Sequence, residues 1–211
     1  MNYGVLTKLH IPSSSVVEVI EQTKLAVKLS KKPNQIETAF YLSANNPQML
    51  YILSLWYAYP ELDNATFLSD FQPRSVQEAI EQGQLVEQQI FQLCWEFRLL
   101  SSPIVASHLR LMTYPENYSE ERYNNSLNIM RHGKEIISGL VGSWVGKCLT
   151  SPRRISLHRA DWSSLQAQRD FFYSDAVAKA AINRRRDEGV VVEYASHNLQ
   201  GLIQSEPHLV L

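Results

Sequence analysis

The chain has 211 residues, 45% hydrophobic and 19% charged, and its 20 lysines and arginines nearly balance 21 aspartates and glutamates. This fits one large or two small globular domains, and a net charge of −1 excludes a global field that would attract nucleic acid or an anionic membrane. No apolar run approaches the roughly 18 residues of a membrane span, the N-terminus lacks the pattern of a secretory signal, and Cys94 and Cys148 form no CxxC pair, so a cytoplasmic protein is expected.

Residues 2–11 alternate, with Tyr3, Val5, Thr7, Leu9 and Ile11 on one side, which predicts a strand. Ser15-x-x-Glu18 has capping-box spacing, and the apolar stripe that follows predicts a helix ending before Lys32-Pro33. Residues 36–43 and 49–57 read as strands around a turn at Asn45-Asn46-Pro47. A helical region opens at Pro60, is interrupted at Pro73, and resumes over 75–89. Phe91, Leu93, Trp95, Phe97 and Leu99 then alternate with Gln92, Cys94, Glu96 and Arg98, a strand with one apolar and one polar face.

Ser101-Ser102-Pro103 marks a junction, after which the order repeats. Residues 105–114 form a strand with Val105, Leu109 and Leu111 on one face and His108, Arg110 and Met112 on the other. Asn117-x-x-Glu120 caps a helix that runs through Tyr123, Leu127, Met130 and Ile137 to a stop near Gly139. Residues 140–149 read as a strand with Gly142, Trp144 and Gly146 at alternate positions, and 153–162 as the next. Ser163-x-x-Gln166 caps a last helix ending in Arg184-Arg185-Arg186 and Gly189, since cations and a following glycine suit a helix C-terminus. A strand over 190–197 and a mixed tail over 199–211, suited to fold over its own or another subunit, complete the chain.

The element order is β-α-β-β-α-β, twice, the ferredoxin-like split unit. The Ser-Asp pairs ending at Asp70 and Asp175 lie 105 residues apart, half the chain. The expected fold class is α+β: tandem ferredoxin-like repeats over residues 1–101 and 102–198, with a tail from 199. Antiparallel sheets carrying helices on one face bury the other by packing together as an α/β-barrel within one chain.

The stretch from Trp162 through Ser163, Ala167 and Phe171 to Ser174-Asp175 resembles the antibiotic biosynthesis monooxygenase family of dimeric α/β-barrels. The resemblance implies a cofactor-independent monooxygenase acting on a small aromatic or polyketide-like molecule. The heme-degrading branch uses an Asn on the first strand, a Trp after the third strand and a downstream His. Asn2 stands in the Asn place, Phe171 and Thr66 in the Trp places of the two halves, and Ala181 or Ile182 in the His place, where neither ligates iron. No cofactor is therefore expected.

If the polar strand faces line the space between the sheets, His108, Arg110 and His158 converge there with Trp144 and Tyr114. His108 and His158 are then candidate bases, Arg110 the holder of an enolate or carboxylate, and Trp144, Tyr114 and Asn2 substrate contacts. The alternative makes the two histidines hydrogen-bonded strand residues and Trp144 core. Glu96, Arg98 and Glu193 suit cross-strand ion pairs. His10, His132, His197 and His208 lack the spacing of a metal site, and none is expected. The expected partner is a small-molecule ligand, with the chain a monomer or homodimer; a non-catalytic ligand-binding or assembly protein on the same fold is the alternative function.

Overall fold

Strands account for most of the chain that the computed structural model describes, namely residues 2–11, 35–43, 45–46, 48–57, 85–99, 102–133, 137–173 and 176–198. They belong to two units, one reaching to Ile90 and the other starting at Phe91. The α+β class expected from the sequence is the one observed.

The first unit contains β1 (Tyr3–His10), β2 (Gln35–Ser43) and β3 (Met49–Trp56), with β3 antiparallel to both neighbours. Leu6, Leu9, Leu50 and Leu53 are fully buried. The turn into β3 is held by Asn46, whose carbonyl accepts from Met49 N–H at 2.9 Å and whose side-chain oxygen accepts from Gln48 N–H at 3.0 Å. The expected helix over 75–89 is corrected at its end: β4 (Leu85–Arg98) already begins at Leu85. Lateral contacts decide this, because Gln88 donates to Thr7 Oγ1 at 3.2 Å and Glu87 pairs with the buried Lys8 ammonium at 3.0 Å. Tertiary pairing outweighs a local helical pattern. The other expected helices of this half fall within residues 12–34 and 58–84, outside the described residues, as does the tail from 199.

The second unit holds the end of β4 with β5 (Ala106–Thr113), α1 (Glu120–Gly133), β6 (Leu140–Cys148), β7 (Ile155–Trp162), α2 (Leu165–Tyr173), α3 (Ala176–Asp187) and β8 (Val191–Asn198). Its strands pair antiparallel in the order β8-β5-β7-β6-β4. The single last helix expected from the sequence is two helices. Two caps also differ from the expected ones: at α1 Ser119, not Asn117, accepts from Arg122 N–H at 3.2 Å, and at α2 Ser164, not Ser163, accepts from Ala167 N–H at 3.0 Å. Ser163 instead donates both its N–H and its hydroxyl to the Gly139 carbonyl. Gly139 has φ +78°, and a Cβ there would strike the Cβ of Ala167, so only glycine fits.

One face of this sheet packs under the helices. Met112, Val145, Ala160 and Trp162 meet Tyr123 and Leu127 of α1 and Leu165, Ala167 and Phe171 of α2. Trp95 locks the contact by donating from Nε1 to the Leu127 carbonyl at 2.6 Å. On the opposite face, Arg159 Nε donates to Asp161 Oδ1 at 2.8 Å, and Ser107 donates to the same oxygen at 2.6 Å. Gly146 lies where a Cβ would collide with the ring of Trp144, which accounts for a glycine two residues after the Trp. No described helix is long and apolar enough to cross a membrane.

Candidate functional site

The register of β5 places its polar residues. Arg110 is the partner of His158 on β7 and of Tyr194 on β8, while His108 is the partner of Ala160. Residues directly opposite each other share a face. Arg110, His158 and Tyr194 therefore form a row, and His108 is their diagonal neighbour. This row lies on the helix side: the Phe172 ring of α2 meets the His108 ring edge-on at 4.8 Å, and Phe172 contacts Tyr194 at 6.5 Å.

The expected constellation is thus divided. Trp144 is the partner of Arg159, whereas Val145 is the partner of His158. Adjacent strand residues point to opposite faces, so Trp144 faces away from the histidines. Those histidines and Arg110 look toward the helices and not into a space between sheets. Tyr114 is committed elsewhere as well, its hydroxyl at 2.7 Å from Ser126 Oγ and 3.1 Å from Ser156 Oγ, with its ring against Tyr118 and Tyr123. Asn2 precedes β1 in the other unit.

Three residues of the helix-side row are almost wholly buried: His108 is 3% exposed, Arg110 4% and His158 1%. Burial, followed by the charge of Arg110, holds the His108 imidazole well below its ordinary pKa. Burial does the same to His158, reinforced by Arg110, Arg185 and His108 in that order. Both rings are neutral at physiological pH. Arg110 is lowered to about 10 by burial and then by Arg185, and so remains a cation.

The neutral rings have different roles. Trp162 Nε1–H donates to His108 Nδ1 at 2.9 Å. An indole only donates, so Nδ1 carries the lone pair and the His108 hydrogen is on Nε2. That nitrogen is buried without a partner among the described residues, as are Arg110 Nε and both nitrogens of His158. His158 alone has a free lone pair. Of the two histidines read from the sequence as candidate bases, His108 is a donor fixed in tautomer by the Trp at the exit of β7, and His158 keeps its lone pair unoccupied among the described residues.

Arg185 was not singled out by the sequence, where the three arginines serve equally as helix-end cations. In the structure Arg184 bonds the Glu188 carboxylate at 3.1 Å and Arg186 bonds the Asn183 side chain at 3.1 Å, both exposed, while Arg185 is 8% exposed. Consecutive helix residues fan by roughly 100° each, so a run of three on a helix lying over a sheet directs one inward. Among the described residues no three His, Cys, Asp or Glu side chains group as metal ligands. The α3 positions where a heme-degrading member would carry its His are Ala181 and Ile182.

No protein-family profile matches the chain, and no curated protein matches it. Solved structures do. A candidate monooxygenase from Fusobacterium nucleatum is similar over 98% of both chains, with 11% identity and a TM-score of 0.66. An anthrone oxidase-like protein is similar over 98% of this chain and 97% of its own, with 12% identity and a TM-score of 0.60. An uncharacterized ferredoxin fold protein related to antibiotic biosynthesis monooxygenases, from Listeria monocytogenes, covers 93% and 94%, with 7% identity and a TM-score of 0.57. The chain has their fold. The resemblance read from Trp162 onward therefore holds at the level of the dimeric α/β-barrel architecture, and identities this low carry the fold alone.

Proposed function

We propose that this protein is a monooxygenase-type enzyme for a small aromatic substrate, with His158 as general base and Arg110 and His108 as donors to the oxyanion that forms. One observation carries the reading: a dry, neutral imidazole with a free lone pair stands directly across from a guanidinium whose buried Nε–H has no partner among the described residues. Such a base removes a proton from an acidic C–H conjugated with a carbonyl, and Arg110 stabilises the resulting enolate-type anion. The electron-rich enolate reduces dioxygen. In sum a CH2 group and O2 become C=O and water, one oxygen atom entering the product and the other leaving as water. Similarity to an anthrone oxidase-like protein makes anthrone the natural probe.

Anthrone is expected to drive oxygen uptake with one O2 consumed per quinone formed. His158→Gln lowers the rate about 100-fold or more, the usual contribution of a positioned base. Uptake that is absent in the wild type, or unchanged in His158→Gln, refutes the assignment. The Ser-Asp repeat at half-chain spacing supports a further reading of the two halves as copies of one ancestral unit.

A further inference from the structure

The helix-side face has buried hydrogen-bond donors that its described residues do not satisfy. His108 Nε2–H and Arg110 Nε–H are buried and unpartnered, and neutral His158 adds one N–H on a ring whose two nitrogens both lack partners. Leaving a buried donor unmet is costly, and here three share one small area of sheet. Facing them are one lone pair of His158 and the hydroxyl of Tyr194, which is itself also a donor.

Charge is unbalanced in the same direction. Arg110 and Arg185 are both buried, and neither makes an ion pair with a carboxylate among the described residues. Arg185 is held over this part of the sheet by the chain reversal at Gly189: its carbonyl accepts from Val190 N–H at 2.9 Å, just before β8 delivers Tyr194 to Arg110. The nearby carboxylates are engaged. Glu188 accepts from the Tyr118 hydroxyl at 2.7 Å and from Arg184, and it lies 3.6 Å from Arg122. Asp161 is bonded to Arg159 and Ser107 on the opposite face. Excess donors together with excess cations call for an anion with several acceptor oxygens. The surrounding walls are aromatic, with Phe172 between His108 and Tyr194 and Trp162 stacked on His108 at 5.9 Å.

We infer that the ligand of this face is an aromatic acid whose carboxylate is held by Arg110 and Arg185 and whose ring lies against Phe172 and Tyr194. The inference rests on the proposed ligand site but not on its oxygen chemistry, and the two are separable by experiment. The probes are sodium benzoate and its neutral isostere benzamide, titrated calorimetrically into the full chain at fixed ionic strength and pH 7.5. Benzoate is expected to bind at least tenfold more tightly than benzamide, and Arg185→Gln to weaken benzoate about tenfold or more while leaving benzamide unchanged. If Arg185→Gln does not fold, Arg185→Lys is read instead, expected to lose benzoate affinity selectively through loss of the planar fork.

Equal binding of the two probes, benzoate affinity unaffected by the Arg185 variants, or no benzoate binding overturns the inference. Oxygen uptake from anthrone without benzoate binding sinks the acid site and leaves the monooxygenase reading standing. Benzoate binding sensitive to Arg185, with no uptake from anthrone or from a carboxyl-bearing anthrone, does the reverse.

Discussion

Acid should destabilise this protein through His108 and His158 before its carboxylates titrate. Both rings are buried neutral with depressed pKa values, whereas in the unfolded chain each returns to about 6.5. Below that pH the unfolded state binds more protons than the folded one, so stability rises with pH in this window and falls as acid is added. The contribution is fully present above about pH 6.5 and is lost progressively from there toward the folded-state values. Each histidine forfeits at most about 1.4 kcal/mol per pH unit, which bounds the loss between pH 6.5 and 5 at roughly 2 kcal/mol each and roughly 4 kcal/mol for the pair. Glu188, whose carboxyl is held below its ordinary value by its hydrogen bond from Tyr118, adds its own acid loss only at lower pH. Arg110, the nearest cation to the rings, stays charged across this range. Urea unfolding at pH 7.5 and pH 5 measures the difference. His158→Gln should remove about half of the acid-induced loss, and the double variant with His108→Gln most of it. If wild type and variants lose stability in parallel over this interval, the histidines are not buried neutral and the tautomer assignment at Trp162 fails with them.

Two further outcomes follow from the packing. Arg159→Met strands the buried Asp161 carboxylate with only part of its partners and should cost about 3–5 kcal/mol by urea midpoint, with partial recovery when Asp161→Leu removes the second charge. Ser164→Ala should lower stability by about 0.5–2 kcal/mol through loss of the α2 cap, and by thermal melting should exceed the effect of Ser163→Ala, whose backbone N–H keeps the bond to Gly139.

The strands of the second unit were legible because their period of two is a local property. Residues 105–114 and 153–162 alternate plainly, and Trp162 stands where the sequence put the strand exit. What alternation does not encode is which face meets the helices. His108, Arg110 and Met112 read as a polar face lining an inter-sheet space, yet Met112 packs in the core with Tyr123 and Leu127, and the two polar side chains go with it. The same limit misplaced Trp144, since one residue of register separates a neighbour of His158 from a residue on the far side. Residues 85–89 failed for a different reason: their helical pattern yields to contacts with Thr7 and Lys8, about 80 positions away. Arg185 was hidden by its neighbours, because three consecutive arginines look alike until a sheet lies beneath one of them.

The two faces of the second unit's sheet supply a control within one molecule for the reading of Arg110. Each face buries an arginine on an adjacent strand, Arg159 on β7 and Arg110 on β5. The Arg159 guanidinium is matched by Asp161, and that carboxylate by Ser107, while the Ser143 hydroxyl donates to the Arg159 carbonyl at 2.9 Å. Where this sheet buries a charge for structural ends, it supplies the counter-charge and the hydrogen bonds together, as the cost of desolvation demands. Around Arg110 it does the opposite, adding a second cation, two neutral imidazoles and aromatic rings but no carboxylate among the described residues. The orphaned nitrogens lie on the face that carries the helix core. A buried guanidinium matched by a carboxylate on one face, and by none among the described residues on the other, points to an anionic partner for Arg110.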